Sequence, residues 1–177
     1  MFTFRQRKFI FQLILWAVTL LGIIVQIQYY GALPEKVAVH FNALGQADIW
    51  ASKGQFLWTN ILLFLGVAVL FQSMILSLPK LPAELLNIPK RRYWLSPQRK
   101  EATLRYVMRF LLWIADLTML FLFGVSYLIT QANYYRTNRL SSAFWILFFL
   151  YIVAITVLTV SMLVHFLILP KSKSPAD

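Results

Sequence analysis

The chain contains no cysteine. Disulfides, thiolate metal sites and thiol catalysis are therefore excluded together, while the compartment is left open. Acidic residues are nearly as scarce, with six Asp and Glu against seventeen Lys and Arg and two His in 177 residues. No paired carboxylates, glycine-rich phosphate loop, nucleophile elbow or His–Cys cluster occurs, so neither an enzyme nor a metal or other cofactor is expected. Charged residues make up only 13% of the chain, whereas a soluble domain carries about a quarter. The long apolar stretches also lack the alternating polarity, in segments of about ten residues, that marks a transmembrane barrel.

What the chain has instead is apolar length. Hydrophobic residues make up 60% of the sequence, and they concentrate in four runs at 9–30, 56–78, 106–129 and 144–168. Each run can cross a bilayer core of roughly 30 Å, which takes about 20 helical residues. Backbone groups in hydrocarbon must be paired within the segment, so the runs are expected to be helices. The first follows Arg5, Arg7 and Lys8, as a signal peptide would. It is longer than a signal peptide needs, and Gln28-Tyr29-Tyr30-Gly31-Ala32 lacks small residues at both cleavage positions, so it reads as an uncleaved span.

Basic residues supply a direction. Twelve of the seventeen fall in the N-terminus (Arg5, Arg7, Lys8), the 79–105 loop and the tail (Lys171, Lys173); four fall in the other two loops, and Arg109 alone lies within a run. Short loops rich in Lys and Arg stay in the cytoplasm. The expected fold is an all-α integral membrane protein with four transmembrane helices, both termini cytoplasmic, and a small β-like extracytoplasmic cap between helices 1 and 2. Residues 1–78 form the first helix pair with its outer loop, 79–105 a basic cytoplasmic loop, and 106–177 the second pair with a short tail. Anionic lipid headgroups are the expected partner of the basic loop. A loop of this size between two helices is no folded nucleic-acid module, and none is expected to bind.

In the first outer loop, Val37, Val39 and Phe41 alternate with Ala38, His40 and Asn42, the period of a half-buried strand. Gly45 marks a turn and Ile49-Trp50 a second extended piece. His40, Asn42 and Asp48, with Glu35 and Lys53 nearby, form a candidate polar site. One His and two carboxylates make a weak ligand set, and bonding of His40 and Asn42 to loop backbone is the preferred expectation. Trp50, Trp58, Tyr29 and Tyr30 read as interfacial belt residues.

The pattern Leu33-Pro34, Val37, His40-Phe41-Asn42, Gly45, Asp48, Trp50 and Ser52-Lys53, directly after a first span, resembles the family called domain of unknown function 1648. The same domain forms the N-terminal part of proteins like the immunity protein against a bacterial sporulation-delay toxin. The resemblance covers about residues 10–75, and the block from Asn87 to Glu101 extends it to about residue 105. It implies a bacterial inner-membrane protein without an established biochemical activity. The second half does not resemble the later spans of the immunity proteins, so their function is not carried over.

Asp116 lies ten residues into the third run, about 15 Å along a helix rising roughly 1.5 Å per residue. An ionisable group near the midplane should face the bundle interior. Arg109 shares its face two turns away, too far for a direct ion pair, with Trp113 between. Thr19, Thr156 or Thr159 are the expected middle-layer partners of Asp116, and Gln12, Gln72, Arg109, Ser161 and His165 share an inner layer. Interhelical hydrogen bonding is the preferred account of these residues over a proton- or ion-responsive centre on Asp116. In the basic loop, Lys90, Arg91, Arg92, Tyr93 and Trp94 form an aromatic-basic patch suited to headgroups or a docking partner. Ser96 before Pro97 predicts a helix over 97–130, with Ser96 as its cap.

Three functions remain open. The first is binding, sensing or immunity at the outer face, with a peptide as the ligand. The second is an accessory subunit of a larger membrane complex, and the third a small transporter using Asp116.

Overall fold

The computed structural model describes residues 3–169; Lys171 and Lys173 lie outside them. Helix α1 spans Phe4–Tyr30, and strands β1 (Lys36–Phe41) and β2 (Ala47–Ser52) lead into α2 (Lys53–Ser77). Two 3-10 turns and the short helix α3 (Arg91–Trp94) precede the long α4 (Lys100–Tyr134), and α5 spans Ala143–Leu167. Four of these helices are long and apolar enough to cross a membrane. The chain is a multi-pass membrane protein.

Side chains fix two helix starts. Thr3 and Gln6 exchange bonds at the start of α1, and Ser52 and Gln55 do the same at α2, so each pair satisfies two backbone donors that a helix N-terminus leaves free. The expected cap at Ser96 fails. Its hydroxyl is buried without a partner among the described residues, and α4 begins at Lys100 because residues 97–99 form a turn. The turn is closed by the Arg99 and Lys100 amides, which donate to the Ser96 carbonyl.

α1, α2 and α4 pack against one another, and α5 leans on α4. Leu15, Phe64, Ala115 and Met119 fill the middle of the three-helix contact. Gly22 lets α1 approach α2 closely, since a Cβ there would stand 2.6 Å from the Phe64 ring. Lipid tails are as apolar as leucine, so such close approach and interhelical hydrogen bonds hold the helices together. At one end, Leu78 and Leu86 pack with Ile75, Met108 and Leu112, folding the basic loop back under the bundle. Phe4 packs against this cluster, and the Lys90 ammonium donates to the Leu167 carbonyl, so α1 begins and α5 ends here, at the basic end.

The hairpin occupies the other end. β1 and β2 are antiparallel, with Lys36 opposite Ser52 and Phe41 opposite Ala47, and the register is irregular around His40. The expected alternation holds only in part. Val37 and Ala38 are both buried, at 0% and 1% exposure. Val37 faces Leu33 and Phe56, whereas Ala38 is covered because its backbone edge docks on α4, as described next.

Candidate functional site

The five polar residues expected in the hairpin separate into local pairs. His40 Nδ1 lies 2.6 Å from Asp48 Oδ1, with both side chains more than two-fifths exposed. Lys53 Nζ lies 2.8 Å from Glu35 Oε1, and the Lys53 amide donates to the Glu35 carbonyl. Asn42 serves the turn, where its Oδ1 accepts from the Leu44 and Gln46 amides at 2.9 and 3.0 Å. Gly45 follows with a positive φ of 72°, a conformation glycine adopts without strain. Among the described residues no three His, Asp or Glu stand close enough to hold a metal. His40, Asn42, Gly45, Asp48, Ser52 and Lys53 thus build the hairpin and its junction with α2.

The hairpin is locked to the second loop. The Ala38 amide donates to Asn133 Oδ1 at 2.6 Å, and Asn133 Nδ2 donates to the Ala38 carbonyl at 2.9 Å. The Ala47 amide donates to the Asn138 carbonyl, the Leu140 amide donates to the Gly45 carbonyl, and Gln46 bridges Arg139. Just beneath lies a buried network joining three helices. Gln26 of α1 donates to Ser126 of α4 at 2.8 Å, Ser126 donates to Asn60 of α2 at 2.5 Å, and Thr130 donates to Gln26 at 3.1 Å. None of Asn60, Ser126 and Thr130 is among the candidate residues read from the sequence. Ser126, Thr130 and Asn133 recur at i, i+4 and i+7 on one helical face, and that spacing is the signal that could have found them.

Two apolar clefts flank β1. One of about 410 Å³ lies toward α5, walled by Phe41, Leu140, Phe144 and Phe148. The other, about 820 Å³, lies toward α2, walled by Ile49, Trp50, Trp58 and Leu63. Val39 and Ile129 line both. Trp50 and Trp58 are exposed, while Tyr29 accepts from Gln131 at 2.8 Å and Tyr30 lies beneath the Lys53 ammonium.

Asp116 is 5% exposed and faces the bundle as expected, yet neither carboxylate oxygen has a hydrogen-bond partner among the described residues. Thr19, one expected partner, donates to the Leu15 carbonyl of its own helix at 2.7 Å. Of the inner layer, Gln12 donates to Gln72 at 3.2 Å, tying α1 to α2. Arg109 and His165 line one cleft at the basic end.

The aromatic-basic patch is divided. Lys90 donates to the Leu167 carbonyl at 2.6 Å and Trp94 Nε1 to the Phe166 carbonyl at 3.0 Å, so these two residues secure the C-terminal end of α5. Carbonyls there have no partner within the helix, and a cation suits the negative end of its dipole. Arg91 donates to the Glu84 carbonyl, Arg92 is exposed, and Tyr93 lies beneath the Arg99 guanidinium.

Comparison with known proteins finds one likeness. No curated protein and no solved structure matches the chain. The matched family model covers residues 17–65, which hold the second half of α1, the whole hairpin and the first half of α2. The basic loop, where the sequence suggested a further likeness, lies beyond that stretch. Over residues 17–65 this membrane protein resembles the family described as Domain of unknown function (DUF1648).

Proposed function

We propose that this is a non-enzymatic, multi-pass protein of the bacterial cytoplasmic membrane whose hairpin cap is an extracytoplasmic recognition surface for an apolar, membrane-inserted peptide. The bias of basic residues toward the end opposite the hairpin supports this orientation, with both termini inside.

The observation that carries the reading is the pair of clefts, about 410 and 820 Å³, on either side of β1. Their walls are mainly apolar and aromatic, with His40 and Asn42 at the first and Gln55, Thr59 and Asn60 at the second, and the strand between them is held by buried hydrogen bonds to Asn133. A surface already rigid loses little entropy when it binds. Charge narrows the occupant. Glu35 and Asp48 are paired, whereas Lys36, Arg136 and Arg139 have no ion pair among the described residues. Peptides with neutral or acidic flanks suit this surface, and strongly cationic ones are disfavoured.

Sensing such a peptide, or protecting the membrane against it, is the role this surface fits. Deleting the gene and challenging cells with membrane-active peptides of graded charge tests it. The deletion should sensitise cells to apolar peptides with neutral or acidic flanks more than to cationic ones. Unchanged sensitivity across the whole panel would count against the reading.

A further inference from the structure

A third cleft, with a different chemistry, opens at the basic end. It measures about 370 Å³ and is lined by Tyr93, Trp94, Arg99, Tyr106, Arg109 and His165 among others, with no carboxylate in its walls. Neither Arg99 nor Arg109 makes an ion pair among the described residues, and Glu101 of the same helix is held by Arg105. We infer that this cleft is a headgroup pocket for a phosphate-bearing anionic lipid.

The two guanidiniums are positioned by aromatic rings. Arg99 Cζ stands 4.0 Å from the centre of the Tyr93 ring, and Arg109 Cζ 5.8 Å from that of Tyr106. Contact with a ring face leaves the N–H edges of a guanidinium free, and those edges match phosphate oxygens two at a time. The walls are fixed in turn. Tyr106 and His165 stack at 3.9 Å and 17°, joining α4 to α5. Trp94 donates to the Phe166 carbonyl and its own carbonyl accepts from Thr103 at 2.7 Å.

Depth decides between a lipid and a soluble phosphate. Arg109 lies three residues inside the apolar run, about 4.5 Å past its start. A cation at that depth needs an anion that itself resides in the interface, as a lipid phosphate does. Basic pockets between helices at the cytoplasmic side suit such headgroups. This inference uses neither the hairpin nor the clefts beside it, so it stands or falls apart from the peptide-recognition reading.

Native mass spectrometry of the detergent-purified full chain tests it, with phosphatidylglycerol, phosphatidylcholine and inorganic phosphate as probes. The protein should retain one phosphatidylglycerol in preference to phosphatidylcholine, and Arg99→Gln/Arg109→Gln should weaken that retention by about 30-fold. Arg5→Gln/Arg7→Gln, which removes the same charge at the same end but outside the cleft, should leave retention intact, with both variants monodisperse. Equal retention by the protein and the Arg99/Arg109 variant would overturn the inference, and so would equal loss in the two variants. Displacement of the lipid by millimolar inorganic phosphate would overturn the choice of a lipid in favour of a soluble ligand.

Discussion

The side-chain amide of Asn133 pairs with the backbone of Ala38 as a neighbouring strand would, accepting at 2.6 Å and donating at 2.9 Å. Both residues are buried, at 4% and 1% exposure. A helix thereby covers the free edge of a two-stranded sheet, which would otherwise present unpaired N–H and C=O groups. Two strands alone are marginal in water, so the clefts beside β1 depend on this contact for their shape.

Asn133→Ala should therefore loosen the cap while leaving the four spans in place. Two buried backbone groups lose their partners, a cost of about 2 kcal/mol or more. Amide exchange at Ala38 should accelerate, with helix content by circular dichroism unchanged. Unaltered protection of the Ala38 amide would show that the hairpin holds its position without α4.

Ser126 stands between two amides, accepting from Gln26 at 2.8 Å and donating to Asn60 at 2.5 Å. Ser126→Ala should destabilise the bundle by about 1 kcal/mol, the usual range for interhelical hydrogen bonds in membranes. A double-mutant cycle with Asn60→Ala in mixed micelles should give a coupling well above measurement error. Simple additivity would mean that the two residues act separately.

Two glycines in spans make opposite predictions. A Cβ on Gly22 would meet three atoms of the Phe64 ring within 2.9 Å, and Phe64 is fully buried, so the ring has nowhere to turn. A Cβ on Gly124 meets the Leu147 Cδ2 atom at 2.6 Å, the far end of a flexible side chain. Gly22→Ala should cost about 1–3 kcal/mol through overpacking, while Gly124→Ala should be close to neutral. Thermal midpoints in one detergent measure both, and a larger loss for Gly124→Ala would reverse the assignment of the tighter contact.

Much of this architecture is legible in the sequence because the bilayer imposes a length. The four runs read as helices, and three of the four end within a few residues of where the apolar character does. The third run differs, since α4 continues from Lys100 to Tyr134, beyond the apolar stretch at both ends. The hairpin is legible through Val37, Val39, Phe41 and Gly45. Pairings between distant residues are not. Asn133 and Ala38 are 95 residues apart, and Gln26 and Ser126 are 100 apart. Periodicity says which face a residue occupies and nothing about its partner. Thr19 has the right depth to meet Asp116 but uses its hydroxyl on Leu15. Lys90 and Trp94 look like headgroup anchors by composition, yet their donors reach carbonyls 77 and 72 residues onward.

Asp116 supplies the last prediction. A buried polar group without a hydrogen bond opposes folding, by about 1–3 kcal/mol on mutational scales. Both oxygens of Asp116 are in that condition among the described residues. If the carboxyl held helices together, removing it would weaken the bundle. Its geometry argues the reverse, so Asp116→Ala should raise the thermal midpoint, the small void left behind offsetting part of the gain. A fall in the midpoint would show that the carboxyl has a partner which the packing of α1, α2 and α4 does not provide. A rise would separate the residue from stability and leave only activity to account for it. Asp116→Asn then tests the ion-pathway reading directly, because it keeps the shape and removes the ionisable group. A stable Asn variant with growth and transport unchanged would withdraw the main support for that reading and leave the recognition surface around β1 as the better account of the protein.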